Sequence, residues 1–176
     1  MLVSGGSRGI GRALAEGFAE RDARVVIAGR EQATLDQTAR EISRGAHPVR
    51  ALACDVSKPD DIGRLVEGTL SQCGRIDTLL NVAGVNRRMK VESYSVDDFD
   101  WIMDINLRGA FLVAQMVGRH MIARRSGSII NIDSLNTYAP LKGVTPYAMS
   151  KAGISMMTRG NKGARALSLA TVRQRS

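Results

Sequence analysis

The 176 residues, 44% of them hydrophobic, suffice for one domain with its own core and require no second one. The net charge of +8 is unevenly placed: all 17 carboxylates precede Ser134, while seven of the 25 lysines and arginines lie beyond it, in a stretch with no aromatic residue after Tyr147 to stack on bases. A nucleic-acid partner is therefore not expected. Two cysteines and two histidines are too few for a disulfide framework or a metal cluster. The chain has no leader pattern and no apolar run of membrane-spanning length, so the expected setting is the cytoplasm, away from membranes.

Along the chain, Met1-Leu2-Val3 reads as a strand, and the turn Ser4-Gly5-Gly6-Ser7-Arg8-Gly9-Ile10-Gly11 leads into a helix over about 9–20. This is the strand, glycine turn and helix of a nucleotide-binding unit: Gly5 permits the tight turn, Gly9 lets backbone amides approach a pyrophosphate, and Gly11 lets the helix pack close to the sheet. Arg24 to Ala28 is a buried-strand run ended by Gly29, and residues 31–44 form a helix with Leu35, Ala39 and Ile42 on one side. Val49 to Ala53 is a third strand, after which Ser57 is expected to cap a helix whose apolar face is Ile62, Leu65 and Val66.

Ile76 to Leu80 supplies a fourth strand, followed by Asn81-Val82-Ala83-Gly84. Ser95 and Asp98 form a capping box, and helical periodicity then runs from Phe99 to Met116 with a break expected near Asn106. Ser128 to Ile132 is a fifth strand, a loop passes Pro140 and Pro146, and a helix begins at Tyr147. Strands and helices alternating at these lengths predict an α/β fold with a parallel sheet covered on both faces.

The residues that suggest chemistry are Ser134, Tyr147 and Lys151. Four residues is just over one helical turn, so Lys151 lies beside Tyr147 on one helix face. A free tyrosine, with a pKa of about 10, is a poor base near neutrality, and a neighbouring ammonium favours its phenolate. A bare Tyr-x-x-x-Lys is common by chance; the glycine turn at the other end of the chain gives it weight.

Together the glycine turn, Asp55-Val56, Asn81-x-Ala83-Gly84, Asn106, Ser134 and Tyr147-x-x-x-Lys151 resemble, in order, the motifs of the short-chain dehydrogenase/reductase family, over residues 1 to about 159. The resemblance implies a Rossmann-like, doubly wound, three-layer parallel sheet and an NAD(P)-dependent oxidoreductase acting on a small carbonyl or alcohol. It implies that Gly5, Ser7, Arg8, Gly9, Ile10 and Gly11 hold the cofactor, with Asp55 and Val56 at adenine and Asn81, Ala83 and Gly84 along adenosine. It further implies Tyr147 as general acid or base, Ser134 as hydrogen-bond partner of the reacting oxygen, and Lys151 on Tyr147 and the nicotinamide ribose. Asn106 would break the long helix and anchor a relay water. Homo-oligomers through the helices at 106–124 and 147–159 are also implied.

Where an acidic residue at the end of the second strand would repel a 2'-phosphate, this chain has Gly29-Arg30, with Arg8 in the glycine turn; NADP(H) is expected over NAD(H), unless Arg30 is merely a solvated helix start. Arg87 and Arg88 follow the fourth-strand motif and are candidates to hold a substrate carboxylate, as in gluconate 5-dehydrogenase-type sugar-acid members of the family. Two minor departures are Ser4 where threonine is usual and Val82 where a second asparagine is common. After Arg159 the family pattern stops: residues 160–176 are expected to be an irregular basic tail. The sheet is then expected to be incomplete on its C-terminal side, with strand five an exposed edge, as in a truncated or frame-shifted member. The alternative function is a silent nucleotide-binding or helix-pairing protein.

Overall fold

The computed structural model describes residues 1–160 and the strand at 168–172. Six strands, β1 (Leu2–Ser4), β2 (Val26–Gly29), β3 (Arg50–Ala53), β4 (Thr78–Asn81), β5 (Ser128–Ile132) and β6 (Ser168–Val172), form one sheet in the order β3-β2-β1-β4-β5-β6. Every neighbouring pair is parallel. The helices are α1 (Gly9–Ala19), α2 (Gln32–Ile42), α3 (Pro59–Cys73), α4 (Val96–Met103), α5 (Ala110–Ala123) and α6 (Thr145–Gly160).

Because side chains alternate across a strand, neighbours in β1, β2 and β4 go to opposite faces. Leu2, Val26, Ala28 and Leu79 pack with Ile62, Leu65 and Val66 of α3 and Val113, Val117 and Met121 of α5. Val3, Ile27 and Leu80 pack with Ala15 and Ala19 of α1 and Leu35, Ala39 and Ile42 of α2. Two apolar clusters on one sheet make the three-layer, doubly wound architecture, and reversal of strand order at β1 and β4 opens a crevice at their carboxyl ends.

Two sequence expectations are corrected. β5 is not an edge: Ser128 to Ile132 pair in register with Ser168 to Val172, so the supposed tail contributes β6. The local pattern does not disclose this strand, because its five residues lie among basic ones after a Gly-Asn-Lys-Gly break, whereas strand pairing is decided by the neighbouring backbone as well. The remainder of the expected irregular tail lies outside the described residues. Ser57 does not cap α3 either; its Oγ and backbone N–H both donate to Asp55 Oδ1, at 2.8 and 3.0 Å, and Pro59 opens the helix. The capping box of Ser95 and Asp98 is present. The break near Asn106 is a π-helical segment, Asp104–Gly109, between α4 and α5.

Candidate active site

A cleft runs over the carboxyl ends of the central strands as two adjoining cavities of about 440 Å³ each, which share Ile10, Val82, Gly84 and Val85 in their walls. The first is walled by the glycine turn, Arg30, Asp55 and Ala83. Its floor depends on two missing side chains. Gly5 sits at φ +72°, and a Cβ there would lie 2.7 Å from Ala83 N; a Cβ on Gly11 would lie 2.1 Å from the Gly5 carbonyl oxygen. The tight turn brings α1 to the cleft with Arg8, at its N-cap, making no side-chain cap, so the first-turn N–H groups have no side-chain partner where Gly9, Ile10 and Gly11 line the cavity.

All six predicted turn residues, Gly5, Ser7, Arg8, Gly9, Ile10 and Gly11, line this first cavity, as do Arg30, Asp55, Val56, Ala83 and Gly84. Burial alone would raise the Asp55 carboxyl, but the Ser57 hydrogen bonds and the charges of Lys58 and Arg30 outweigh it, and the net shift is downward. The same wall carries Glu31, a carboxylate beside Arg30 that the sequence reading passed over.

Asn81 lines neither cavity. It is buried at the end of β4, where Nδ2 donates to Ala110 O and to Asn131 Oδ1, both at 3.0 Å. Asn131 Nδ2 in turn donates to Thr158 Oγ1 at 3.0 Å, which donates to Ile154 O at 2.8 Å. A ladder of satisfied buried polar groups thus ties β4 and β5 to α6. Its other end is Ser4, whose Oγ donates to Asn81 Oδ1 at 3.4 Å and accepts from Val82 N and Ala83 N at 3.2 and 3.3 Å. Asn81 shapes the cleft wall from behind.

Asn106 behaves similarly. Its Oδ1 accepts from Val85 N at 2.7 Å, while Nδ2 donates to Val85 O at 2.8 Å and Ser150 Oγ at 3.1 Å. One amide hydrogen fixes the loop after β4 and the other ties the side chain to α6, and the π-helical segment puts this side chain in reach.

The second cavity gathers Ser134, Tyr147 and Lys151 with Asn86, Leu135, Asn136 and Leu141. Lys151 is only 6% exposed, and its Nζ donates to Ile132 O at 2.7 Å and lies 5.8 Å from the centre of the Tyr147 ring. Desolvation lowers its pKa from an ordinary 10.5 to about 8, against the opposing charge of Asp133. Asp133 is wholly buried; its Oδ1 accepts from Ser134 N at 2.8 Å and from the Thr137 hydroxyl, and Oδ2 has no hydrogen-bond partner among the described residues. Sequence reasoning missed both Asp133 and Asn136. Their only signal was adjacency to Ser134.

Arg87 and Arg88 line neither cavity. Arg87 is paired with Asp98 and lies 5.3 Å from the centre of the Trp101 ring. The loop puts Asn86, not the arginines, in the wall of the second cavity. Among the described residues no group of His, Cys, Asp and Glu is placed to hold a metal, and no helix is long and apolar enough to cross a membrane.

Comparison with known proteins gives this geometry its lineage. The gluconate 5-dehydrogenase of Gluconobacter oxydans is 36% identical over 159 residues, 90% of this chain and 62% of the relative. A 3-oxoacyl-acyl-carrier-protein reductase of Thermotoga maritima is 35% identical over 158 residues, 90% of this chain and 64% of its own. This chain therefore spans less than two thirds of the length of those curated relatives. A metagenomic short-chain oxidoreductase solved in complex with NADP superposes with a TM-score of 0.93 at 31% identity, covering 99% of this chain and 81% of the other. A short chain dehydrogenase from Bacillus anthracis superposes at 0.87 with 34% identity, over 90% and 66%. The family model described as short chain dehydrogenase matches residues 1–167. The chain belongs to the short-chain dehydrogenase/reductase family.

Proposed function

We propose that this chain carries out NADP(H)-linked interconversion of a carbonyl and a secondary alcohol. The observation that carries the reading is the continuity of the cleft: a glycine-walled cavity opens directly onto the one that holds Ser134, Tyr147 and Lys151. The cradle left by the absent side chains of Gly5 and Gly11 fits a dinucleotide, whose pyrophosphate the first turn of α1 would hold. When bound, the nicotinamide supplies the hydride acceptor or donor.

The chain's own residues handle the proton and the charge. Tyr147 gives a proton to the substrate oxygen in reduction and takes one in oxidation. Ser134 holds that oxygen by a hydrogen bond. Lys151 spends one of its three N–H donors on Ile132 O, which fixes the ammonium next to the Tyr147 ring. There its charge stabilises negative charge developing on the phenol oxygen as the proton leaves, and its other donors are available to a ribose hydroxyl. Low exposure strengthens both effects by excluding water.

Arg8 and Arg30 in the first cavity favour a 2'-phosphate, and the NADP complex of the metagenomic relative supports the same preference. A sugar acid is the substrate class to assay first, given the similarity to a gluconate 5-dehydrogenase, with Asn86 rather than Arg87 or Arg88 as the polar contact in the wall. Homo-oligomerisation through α5 and α6 is supported by Phe111, Met149 and Met156, which are 47%, 50% and 64% exposed. The test of function is nucleotide titration followed by NADPH-linked assay against sugar acids and keto acids. Tyr147→Phe is expected to lower turnover by about 10²- to 10⁴-fold while nucleotide affinity is retained. Nucleotide binding with no turnover in the parent chain would favour the silent, helix-pairing alternative.

A further inference from the structure

A serine hydroxyl has one hydrogen to give and two lone pairs with which to accept. At Ser134 both lone pairs are filled by a single residue: the backbone N–H and the side-chain Nδ2 of Asn136 each donate to Ser134 Oγ at 3.2 Å. The Asn136 amide cannot turn over without loss, because Leu141 N donates to its Oδ1 at 2.9 Å and so leaves Nδ2 facing the serine. The same turn is held on its buried side by Asp133 Oδ1, which accepts from Ser134 N at 2.8 Å. Ser134, Asn136 and Leu141 all line the cavity that contains Tyr147 and Lys151.

We propose that Asn136 is a positioning residue that makes Ser134 an obligate hydrogen-bond donor toward the reacting oxygen. This rests on the carbonyl and alcohol chemistry proposed above and adds a direction to it. A substrate carbonyl, which only accepts, meets the hydrogen that Ser134 has left to give. A substrate alcohol meets a serine with no lone pair for its proton, so as its O–H bond breaks, the proton passes to the Tyr147 oxygen, acting as phenolate. The serine then serves both directions without changing its role, and the proton has a single protein acceptor.

Asn136→Asp separates this from simple bracing of the loop. The carboxylate keeps an acceptor for Leu141 N but places an oxygen where Nδ2 was, and the Ser134 hydrogen turns to it and away from substrate. With gluconate and NADP⁺, or an acetoacetyl thioester and NADPH, kcat is expected to fall about 10²-fold, as on losing an oxyanion donor. Affinity for NADPH should change by less than about twofold. In a Ser134→Ala background, Asn136→Asp should have an effect below about twofold, because the two residues act as one unit. Multiplying losses would overturn the proposal.

A second readout needs neither cofactor nor turnover. In ¹⁵N-labelled protein, the Asn136 side-chain amide pair, identified by its disappearance in Asn136→Asp, should shift in Ser134→Ala together with the Asn136 backbone amide. Unshifted resonances would overturn the proposal. Absence of turnover in the parent chain with the amide coupling intact would instead count against the proposed function.

Discussion

The two ends of the cleft are built by opposite means. At the nucleotide end the site is made of backbone and of side chains that are absent: Gly5 and Gly11 leave room that a single Cβ would fill. At the reaction end it is made of side chains that satisfy one another. Ser134 is held by Asn136 and Asp133, Lys151 by Ile132, and Asn106 by Val85 and Ser150. A site defined by missing atoms tolerates little added volume, whereas a site defined by mutual hydrogen bonding is sensitive to charge and to lost partners.

Adding volume at the nucleotide end should have the largest effect on folding. Gly11→Ala would set a methyl 2.1 Å from the Gly5 carbonyl oxygen, a backbone atom that cannot swing aside. The expected cost is about 3 kcal/mol or more, with nucleotide affinity lost, read by urea unfolding and nucleotide titration. Gly9→Ala is the control. Its Cβ would meet nothing within 4 Å, and only the backbone at φ +53° resists it, at about 1–2 kcal/mol. Equal losses in the two variants would erase the contrast drawn between crowding and conformation.

At the reaction end the corresponding probe is charge. Lys151 titrates at about 8 in the folded chain against an ordinary 10.5, so between those values the unfolded chain binds more protons and stability rises with pH. Relative to Lys151→Met, the parent chain should gain about 3 kcal/mol as pH climbs through that window, and below about pH 8 it bears the full cost of burying the ammonium. Unfolding curves measured across the window would be parallel for the two proteins if the burial of this amine were inconsequential.

The same contrast decides what the sequence could disclose. The glycine turn and the Tyr147 and Lys151 pair are legible because a turn needs glycine locally and residues four apart share a helix face, and Ser134 is legible through its place in the ordered family motifs. Asp133 and Asn136 are not legible, since their roles arise only when the loop after β5 folds back and Leu141 braces the Asn136 amide. Asn81 was recognisable as a motif member, yet its side chain faces the buried ladder with Asn131 and Thr158, a partnership fifty residues away in sequence for the first of these. β6 escaped for the reason that its pairing partner, β5, supplies what its own short sequence does not.

A smaller effect tests selectivity within the nucleotide end. Arg30→Asp removes one cation from a wall that also holds Arg8, Glu31 and Asp55. A charged hydrogen bond lost from a 2'-phosphate should weaken NADP(H) relative to NAD(H) by about 10- to 100-fold. An unchanged ratio of the two affinities would mean that Glu31, not Arg30, sets the local field.

The smallest expected effect falls just outside the cleft and sharpens where the reaction end stops. Arg87 is half-exposed, and its guanidinium is engaged by Asp98 and by the Trp101 ring, partners that lie on α4 and away from the cavity wall. Water and salt screen an exposed pair, and its cation-π contact adds little, so Arg87→Ala should lower the unfolding midpoint only marginally. Because the loop presents Asn86 to the cavity instead, the KM for a sugar acid should stay within about twofold of the parent, whereas Asn86→Ala should raise it. A tenfold rise in KM for Arg87→Ala alone would reverse this assignment. It would mean that substrate draws the guanidinium off Asp98, and that the reaction end recruits a charged surface loop in addition to its buried, mutually satisfied side chains.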